Sequence, residues 1–219
     1  VGYTNAGKST IMNQLLQKIG QEQSKQVFEK DMLFATLETS VRQIKLPDQK
    51  EFLLTDTVGF VSKLPHHLVK AFRSTLEEAR DANLLLHVVD VSNDEHRYMM
   101  DVTNETLLEV GVKDVPTIFV YNKSDLADMM YPHVAGSNIW ISAKDGKGLD
   151  ELLDIIKKYI FSDYVQCDLL IPFDRGDIVS YLNEKATVKS TSYEEEGTLV
   201  HVELKKSDYD RLEEFVYHP

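Results

Sequence analysis

The sequence is poor in several features, and each shortage excludes a class of protein. A single cysteine, Cys167, in 219 residues excludes a disulfide framework and a cysteine-rich metal site. No apolar run approaches the ~18 residues that a membrane-spanning helix requires, and no secretory signal peptide opens the chain. We therefore expect a cytoplasmic protein without a membrane span.

Basic residues are also in short supply. The chain has 24 lysines and arginines against 36 aspartates and glutamates, which gives a net charge of −12. Such a surface repels the phosphate backbone of nucleic acids, so we expect no direct DNA binding. Residues 164–219 hold 12 acidic and six basic side chains, so this segment is not a basic arm either.

Apolar runs typical of buried strands alternate with helical patterns through residues 1–163. A helix is predicted to begin near Lys8, because Ile11, Leu15 and Ile19 recur at four-residue spacing. The other expected helices are 65–80, 94–110 and 149–161, and the expected strands are 39–46, 51–55, 84–91, 117–121 and 139–142. This alternation predicts an α/β fold, with a mostly parallel sheet and helices on both faces.

The pattern changes after residue 163. The expected order is a strand, a helix, two strands and a helix, over 166–172, 174–185, 186–193, 197–205 and 207–216. The acidic run Glu194–Glu196 followed by Gly197 indicates a hairpin turn between the last two strands. We therefore expect two domains, an α/β domain over 1–163 and a small α+β domain over 164–219.

The chain begins abruptly, with Val1 directly before a glycine-rich loop. Residues 2–9, Gly-Tyr-Thr-Asn-Ala-Gly-Lys-Ser, fit the phosphate-binding pattern GxxxxGK[ST]. Such a loop normally follows a buried strand, and only the last residue of that strand stands before Gly2. We expect that the sequence is a fragment of a longer protein, or that its numbering starts late.

The glycine-rich loop supplies groups that bind phosphate. Its glycines let several backbone N–H groups approach the phosphate oxygens, and the following helix adds the positive end of its dipole. Lys8 is expected to neutralise the β- and γ-phosphates, and the Ser9 hydroxyl to bind Mg²⁺. The expected contacts are Gly2, Asn5, Ala6, Gly7, Lys8, Ser9 and Thr10. Taken alone, the pattern also occurs by chance in ordinary turns.

A second motif, Asp-Thr-Val-Gly, spans residues 56–59 after an apolar strand. Asp56 is expected to hold Mg²⁺ through its water shell. The backbone N–H of Gly59 is expected to meet the γ-phosphate, so that the loop reports whether this phosphate is present. A threonine between the two motifs is also needed for Mg²⁺ and the γ-phosphate. Thr36 is the first choice and Thr39 the second.

A third motif, Asn-Lys-Ser-Asp over residues 122–125, is expected to recognise the base. The Asp125 carboxylate matches the N1–H and the exocyclic amine of guanine. Adenine lacks that pair of donors and would leave the carboxylate unpaired, at a cost of ~1–3 kcal/mol. Lys123 is expected to lay its aliphatic stem along the base, and Asn122 to brace the loop.

A fourth segment, Ser142-Ala143-Lys144, ends the next strand, where the Ala143 N–H is expected to meet guanine O6. Each motif alone also fits a polar turn. Together they follow the expected order, each at the carboxyl end of a strand, where open α/β sheets bind ligands. The four motifs predict a P-loop NTPase fold that binds Mg²⁺ and GTP or GDP, and the base-reading segment argues against a generic ATPase.

The residues also resemble a known family. The segments GYTNAGKST, LFATLET, DTVGFVSKLPHHLVKAFRSTLEEA and NKSD are similar to those of HflX-type GTPases, in the Obg–HflX branch of translation-associated GTPases. The final segment, with PFDRGD and EEEGT, resembles the C-terminal domain of that family. The resemblance covers essentially the whole chain and implies a GTP-hydrolysing protein with a further N-terminal domain.

The resemblance also implies a partner. HflX-type proteins bind the large ribosomal subunit and split stalled or idle ribosomes, using GTP to set their affinity. Much of their contact with ribosomal RNA comes through the N-terminal domain, so an acidic C-terminal domain suits contact with a basic ribosomal protein instead. Two alternatives remain: a GTPase in RNA processing or tRNA modification, and a non-catalytic module that senses guanine nucleotides.

Hydrolysis is expected to depend on Lys8, Thr36 and Gly59, which neutralise charge and hold the γ-phosphate. Phe60 stands where Ras-like proteins often place a glutamine that orients water, so slow intrinsic turnover is expected. In several related GTPases, an asparagine at the position of Asn5 helps to hold K⁺ beside the phosphates. A K⁺ site at Asn5 is therefore a hypothesis, and a loop-bracing amide is the alternative.

Overall fold

The computed structural model describes residues 1–19, 40–48, 50–57, 59 and 78–218. The chain forms two compact units. The first comprises residues 1–44 and 53–160, and the second comprises residues 45–52 and 161–219. In the ranges that the structure describes, no helix is both long and apolar enough to cross a membrane.

The first unit contains an α/β arrangement. Its α-helices that lie wholly within the described ranges are α1 (Lys8–Lys18), α2 (His96–Glu109) and α3 (Leu149–Ile160). A two-stranded sheet is formed by β1 (Ser40–Lys45) and β2 (Glu51–Asp56), whose shared tip belongs to the second unit. A four-stranded sheet is formed by β3 (Leu85–Asp90), β4 (Thr117–Asn122), β5 (His133–Ala135) and β6 (Asn138–Trp140), in the order β3-β4-β6-β5.

The four-stranded sheet is mostly parallel. β4 pairs in parallel with β3 on one side and with β6 on the other, and β5 is an antiparallel edge strand. Val1 and Gly2 lie beside β3, because the Val88 N–H donates to the Val1 carbonyl and Gly2 forms a parallel bridge with Val88. The glycine-rich loop therefore leaves the sheet at the edge where Asp90 and Asn122 end neighbouring strands.

Apolar residues hold these elements in place. His87, Val88 and Val89 are consecutive in β3 and all buried. Because neighbouring residues of a strand point to opposite faces, both faces of β3 are covered. Helix α3 presents one apolar stripe to the core, formed by Leu149, Leu152, Leu153 and Ile156. The carboxyl edge of the sheet is thus supported by a packed core.

The second unit is a small α+β fold. It contains β7 (Tyr164–Ile171), α4 (Gly176–Lys185), β8 (Thr187–Glu194), β9 (Gly197–Lys205) and α5 (Lys206–Arg211). The strands form an antiparallel sheet in the order β7-β9-β8. Alternate residues of the strands face a core with α4, formed by Leu169, Ile171, Ile178, Leu182, Val200, Val202 and Leu204.

The tip of the β1–β2 hairpin, residues 45–52, is part of the second unit. The Lys50 ammonium lies 2.9 Å from a carboxylate oxygen of Glu203. It also lies over the rings of Phe161 and Tyr164, at 5.2 and 4.9 Å from their centroids. Only 10 % of the Lys50 side chain is exposed, so this lysine anchors the tip among residues of the second unit.

The predicted fold class is confirmed, with two differences in the elements. β5 was not predicted, because His-Val-Ala is too short to show an alternating pattern. The last helix, predicted over 207–216, ends at Arg211 and is followed by a 3₁₀ turn. The Leu212 N–H donates to both Asp208 and Tyr209, which tightens the last turn, and Val216 then bridges to β7.

Some predictions fall outside the described residues. The predicted helix over 65–80 lies mostly there, although residues 78–80 are helical. The two candidate threonines, Thr36 and Thr39, lie there as well, as does Phe60.

Candidate functional site

The glycine-rich loop makes a close turn before α1. Gly7 has φ of +98°, and a Cβ atom on it would lie 2.2 Å from the Asn122 side-chain nitrogen. At Gly2, a Cβ atom would lie 2.3 Å from the Val88 carbonyl oxygen. Only glycine fits at both positions, because any side chain would displace backbone or a buried amide. Asn5 is exposed and has φ of +65°, and Thr10 is exposed on α1.

Lys8 is held at the mouth of this loop. Its ammonium donates to the carbonyl oxygens of Gly2 and Tyr3, both at 3.0 Å. Burial lowers the pKa of Lys8, and the nearby Asp56 carboxylate opposes that shift. A partly buried cation that relies on two carbonyl groups is well suited to receive an anion.

Two hard oxygen ligands meet beside the loop. The Ser9 hydroxyl, at the start of α1, donates to Asp56 Oδ2 at 2.5 Å, and Asp56 is the last residue of β2. Hydroxyl and carboxylate oxygens are the ligands that Mg²⁺ prefers. Ser9 and Asp56, each predicted to bind Mg²⁺, are therefore hydrogen-bonded to one another in this structure, whereas Thr36 lies outside the described residues.

Gly59 approaches the same loop from the other side. A Cβ atom on Gly59 would lie 2.7 Å from both the Thr4 Cα and the Thr4 Oγ1, and 3.0 Å from Lys8 Nζ. The backbone of Gly59 therefore lies against the glycine-rich loop and beside the Lys8 ammonium.

Asn122 links three segments of the site. Its side-chain amide donates to the Ala6 carbonyl at 2.9 Å and accepts from the Ala143 N–H at 3.0 Å. The residue is 3 % exposed. Asn122 therefore braces the loop, as predicted. The Ala143 N–H was expected to meet guanine O6. In this structure that N–H is already bound to Asn122, and a base would have to share it.

Asp125 carries a polar atom that no described residue contacts by a hydrogen bond. Its Oδ1 is buried, and it has no hydrogen bond among the residues that the structure describes. Leaving a buried carboxylate oxygen unpaired costs several kcal/mol unless a ligand supplies a donor. Nearby, Ser142 and Ala143 are buried, and Lys144 is exposed. The Ser124 N–H donates to the Ile141 carbonyl, which ties the two base-reading segments together.

Asp90 is a member of this edge that the motifs did not identify. It ends β3 directly beside Asn122, and its Oδ2 lies 2.6 Å from Lys123 Nζ. The signal was available in the sequence, because Asp90 is the only carboxylate within the apolar run 84–91 and stands near its carboxyl end. The rule that ligand-binding groups follow parallel strands applies to it as well.

The fold and the site together define a P-loop nucleotide-binding domain with a small C-terminal domain. Residues 1–123 match the family described as 50S ribosome-binding GTPase, and residues 131–216 match the family described as HflX C-terminal domain. The first match covers more than half of the chain. The chain therefore belongs to the 50S ribosome-binding GTPase family, and the HflX-type resemblance is confirmed.

Curated relatives agree with this assignment. The GTPase HflX of Akkermansia muciniphila is 41 % identical over an alignment of 225 positions, which covers 99 % of this chain and 50 % of the relative. The GTPase HflX of Escherichia coli K12 is 34 % identical, over 97 % of this chain and 50 % of the relative. The chain spans about half the length of these relatives.

Solved structures show the same fold. A GTP-binding protein from Sulfolobus solfataricus, in complex with GDP, has a TM-score of 0.55 at 27 % identity, over 73 % of this chain and 50 % of that protein. Era in complex with MgGDPNP has a TM-score of 0.53 at 24 % identity, over 73 % of this chain and 54 % of that protein. The predicted P-loop GTPase fold is thus confirmed.

Proposed function

We propose that this chain binds GTP and GDP between the glycine-rich loop and residues 122–125, and that it hydrolyses GTP. The observation that carries the proposal is the buried Oδ1 of Asp125, which finds no hydrogen-bond partner in the part of the chain that the structure describes. Guanine N1–H and its exocyclic amine would supply the missing donors, and adenine would not. The relative from Sulfolobus solfataricus, whose fold this chain shares, was solved with GDP.

The proposal includes Mg²⁺ beside the terminal phosphates. Ser9 and Asp56 would hold it directly and through its water shell, and their oxygens lie 2.5 Å apart. The ion would add positive charge where negative charge accumulates on the phosphates. Thr36 is the proposed third ligand on the side of the γ-phosphate.

The residues of the chain would then share the work of hydrolysis. Lys8 would exchange its two carbonyl partners for phosphate oxygens and neutralise their charge. The N–H of Gly59 would hold the γ-phosphate in line with the attacking water. Phe60 offers no group to orient that water, so we propose slow intrinsic turnover. Asn5 would place its exposed side chain where a K⁺ ion could assist.

We further propose that the intact protein associates with the large ribosomal subunit, in ribosome splitting or recycling. The support is membership of a family described as 50S ribosome-binding. The GTP state would set the affinity, because Gly59 lies against the loop and beside Lys8 and would respond to the γ-phosphate. GTPase action in RNA processing is the competing function, and it predicts no nucleotide-dependent binding to the subunit.

The second unit offers a surface that suits a basic ribosomal protein. Tyr193 and Phe173 are 80 % and 62 % exposed. Tyr193 and Ile171 both pair with Thr198 of β9, and Phe173 follows Ile171 by two residues, so both rings lie toward the end of the sheet where β9 begins. The turn Glu194–Glu196 adds three exposed carboxylates there. We define this set of residues as the acidic tip, and aromatic rings among carboxylates favour arginine and lysine.

The base pocket is tested by replacing Asp125→Asn in the intact protein with Mg²⁺ present. The variant should lose at least ~100-fold in affinity for GTP and gain affinity for xanthosine triphosphate, because the amide replaces one acceptor oxygen by an N–H donor, which matches the carbonyl that xanthine carries in place of the guanine amine. Asp128→Asn, an exposed carboxylate three residues further on, is the matched control. An unchanged preference for GTP would place the base elsewhere. Failure of the folded wild type to bind either GDP or GTP in calorimetry would refute the whole function.

The partner is tested by pelleting the intact protein with ribosomal subunits in the presence of a GTP analogue or GDP. Greater recovery with the large subunit in the analogue state is expected. Phosphate release measured with and without large subunits separates an enzyme from a non-catalytic sensor. The same assay in KCl and in NaCl tests Asn5, since equal rates would remove the K⁺ site.

A further inference from the structure

The Asp90 carboxylate lies between Lys123 and Ser92, at the sheet edge that carries the candidate site. Its Oδ2 accepts from Lys123 Nζ at 2.6 Å. Its Oδ1 accepts from the Ser92 N–H at 3.1 Å and from the Ser92 hydroxyl at 2.6 Å. Both oxygens are engaged, so the orientation of the carboxylate is fixed from two sides.

The contact between Asp90 and Lys123 is sheltered. The two side chains are 18 % and 32 % exposed. Burial raises the pKa of Asp90, but the hydrogen bonds from Lys123 and Ser92 outweigh that effect and leave the pKa below its usual value. Asp90 is therefore ionised near neutral pH, and its bond to the Lys123 ammonium is charge-assisted.

The backbone brings Lys123 to this position. Asp90 lies opposite Asn122 in the β3–β4 register, and Lys123 follows directly with φ of +64°. This left-handed conformation is uncommon outside glycine, so the surrounding structure holds Lys123 there. A free lysine loses up to ~2 kcal/mol of rotamer entropy when its long stem is fixed. Because the Lys123 ammonium is bonded to Asp90, the Lys123 side chain has already lost much of that rotamer freedom.

We propose that Asp90 is a positioning residue for guanine binding, with Ser92 holding Asp90 and Asp90 holding Lys123. The inference rests on the proposed function, in which the aliphatic stem of Lys123 lies along the purine. Asp90 does not touch the nucleotide in this arrangement. It fixes the ammonium, so that the stem is in place before the base arrives and its ordering does not weaken binding.

The test uses the intact protein and a fluorescent GDP, with both affinity and dissociation rate measured. Asp90→Asn removes the charge and keeps the shape, and it should weaken GDP binding about tenfold, mainly through faster dissociation. Ser92→Ala should have a smaller effect in the same direction. Asp94→Asn, an exposed carboxylate in the same loop, is the matched control and should leave affinity unchanged.

A double-mutant cycle separates positioning from general damage. Lys123→Met should weaken GDP binding by itself, and adding Asp90→Asn to it should have no further effect, because Asp90 acts through the ammonium. The kcat of Asp90→Asn at saturating GTP should equal that of the wild type, whereas its KM for GTP should rise. Equal losses from Asp90→Asn with and without Lys123 would overturn the proposal.

The outcomes also distinguish this inference from the function on which it rests. Wild-type protein that binds no GDP would refute the proposed function. Wild-type protein that binds GDP, together with an Asp90→Asn variant of unchanged affinity, would refute the positioning role alone. Should Asp90→Asn fail to fold, Ser92→Ala takes its place in the cycle with Lys123→Met, and an additive effect there would count against the proposal.

Discussion

At the scale of single residues, Gly7 occupies the tightest point of the site. The glycine-rich loop, the end of β4 and the fourth motif all meet there through Asn122, which bonds Ala6 and Ala143. The site therefore tolerates no added atom at Gly7, whose place for a Cβ is already taken by the Asn122 amide.

Gly7→Ala should abolish detectable GDP binding. The new methyl would lie 2.2 Å from the Asn122 nitrogen and would push that amide away from its two partners. Gly146→Ala is a matched control, because Gly146 also has positive φ (+71°) but no described residue lies within 4 Å of the added methyl. Both variants should lose about 1 kcal/mol of unfolding free energy from backbone strain, and Gly7→Ala should lose more because of its clash with Asn122. Only Gly7→Ala should lose binding. Calorimetric titration and urea unfolding separate the two effects, and equal GDP affinities for both variants would contradict the prediction.

Residue types at motif spacing predicted the identity of much of this edge, but not its internal bonds. The types of Lys8, Ser9 and Asp56 were predictable, because the two motifs that hold them match the pattern expected for phosphate and Mg²⁺ binding. The partner of the Ala143 N–H was not, since a backbone donor carries no signature in the sequence. Asp90 was missed because one carboxylate after an apolar run matches no motif, although the register places it beside Asn122.

At the scale of elements, the β1–β2 hairpin has two environments along its length. Its tip, residues 45–52, is held in the second unit through Lys50, while β2 ends at Asp56 in the first unit. The sequence predicted both strands, over 39–46 and 51–55. It did not reveal that the hairpin tip packs with residues more than 100 positions later, because a local apolar pattern indicates a strand but not its distant neighbours.

Lys50→Ala should destabilise the second unit by about 2–3 kcal/mol. The change leaves the Glu203 carboxylate, only 18 % exposed, without its cation and removes the contacts with two aromatic rings. Lys45→Ala, at a lysine that is 65 % exposed, is the control and should change little. Urea unfolding followed by tyrosine fluorescence measures both. A Lys50→Ala protein as stable as the control would show that the tip of the β1–β2 hairpin is not anchored by this lysine.

At the scale of the whole molecule, the proposed association with the large ribosomal subunit would bring an acidic chain to a particle rich in RNA. The net charge of −12 opposes contact with phosphate, so a protein surface is the better target. The acidic tip supplies both the charge and the exposed rings for such a contact.

Reversing the charge of Glu194, Glu195 and Glu196 to lysine should weaken recovery of the intact protein with the large subunit about tenfold at low salt. The loss should shrink as salt rises, because the attraction is electrostatic and screened. GDP affinity should be unchanged, since the acidic tip belongs to the second unit. Unaltered binding to the large ribosomal subunit would exclude the acidic tip as the contact. Stronger binding would instead point to RNA as the surface that it meets.

The route of the chain limits how this protein can be cut or recombined. A shortened version that stops at Ile160 would keep residues 45–52 yet lose Phe161, Tyr164 and Glu203, and Lys50 would be left without those neighbours. A chimera with a foreign C-terminal domain would need two segments from the donor protein. One is the C-terminal domain, and the other is the eight-residue hairpin tip that corresponds to residues 45–52. When such an experiment leaves residues 45–52 unchanged, a loss of activity would reflect the mismatched hairpin tip as well as the missing domain.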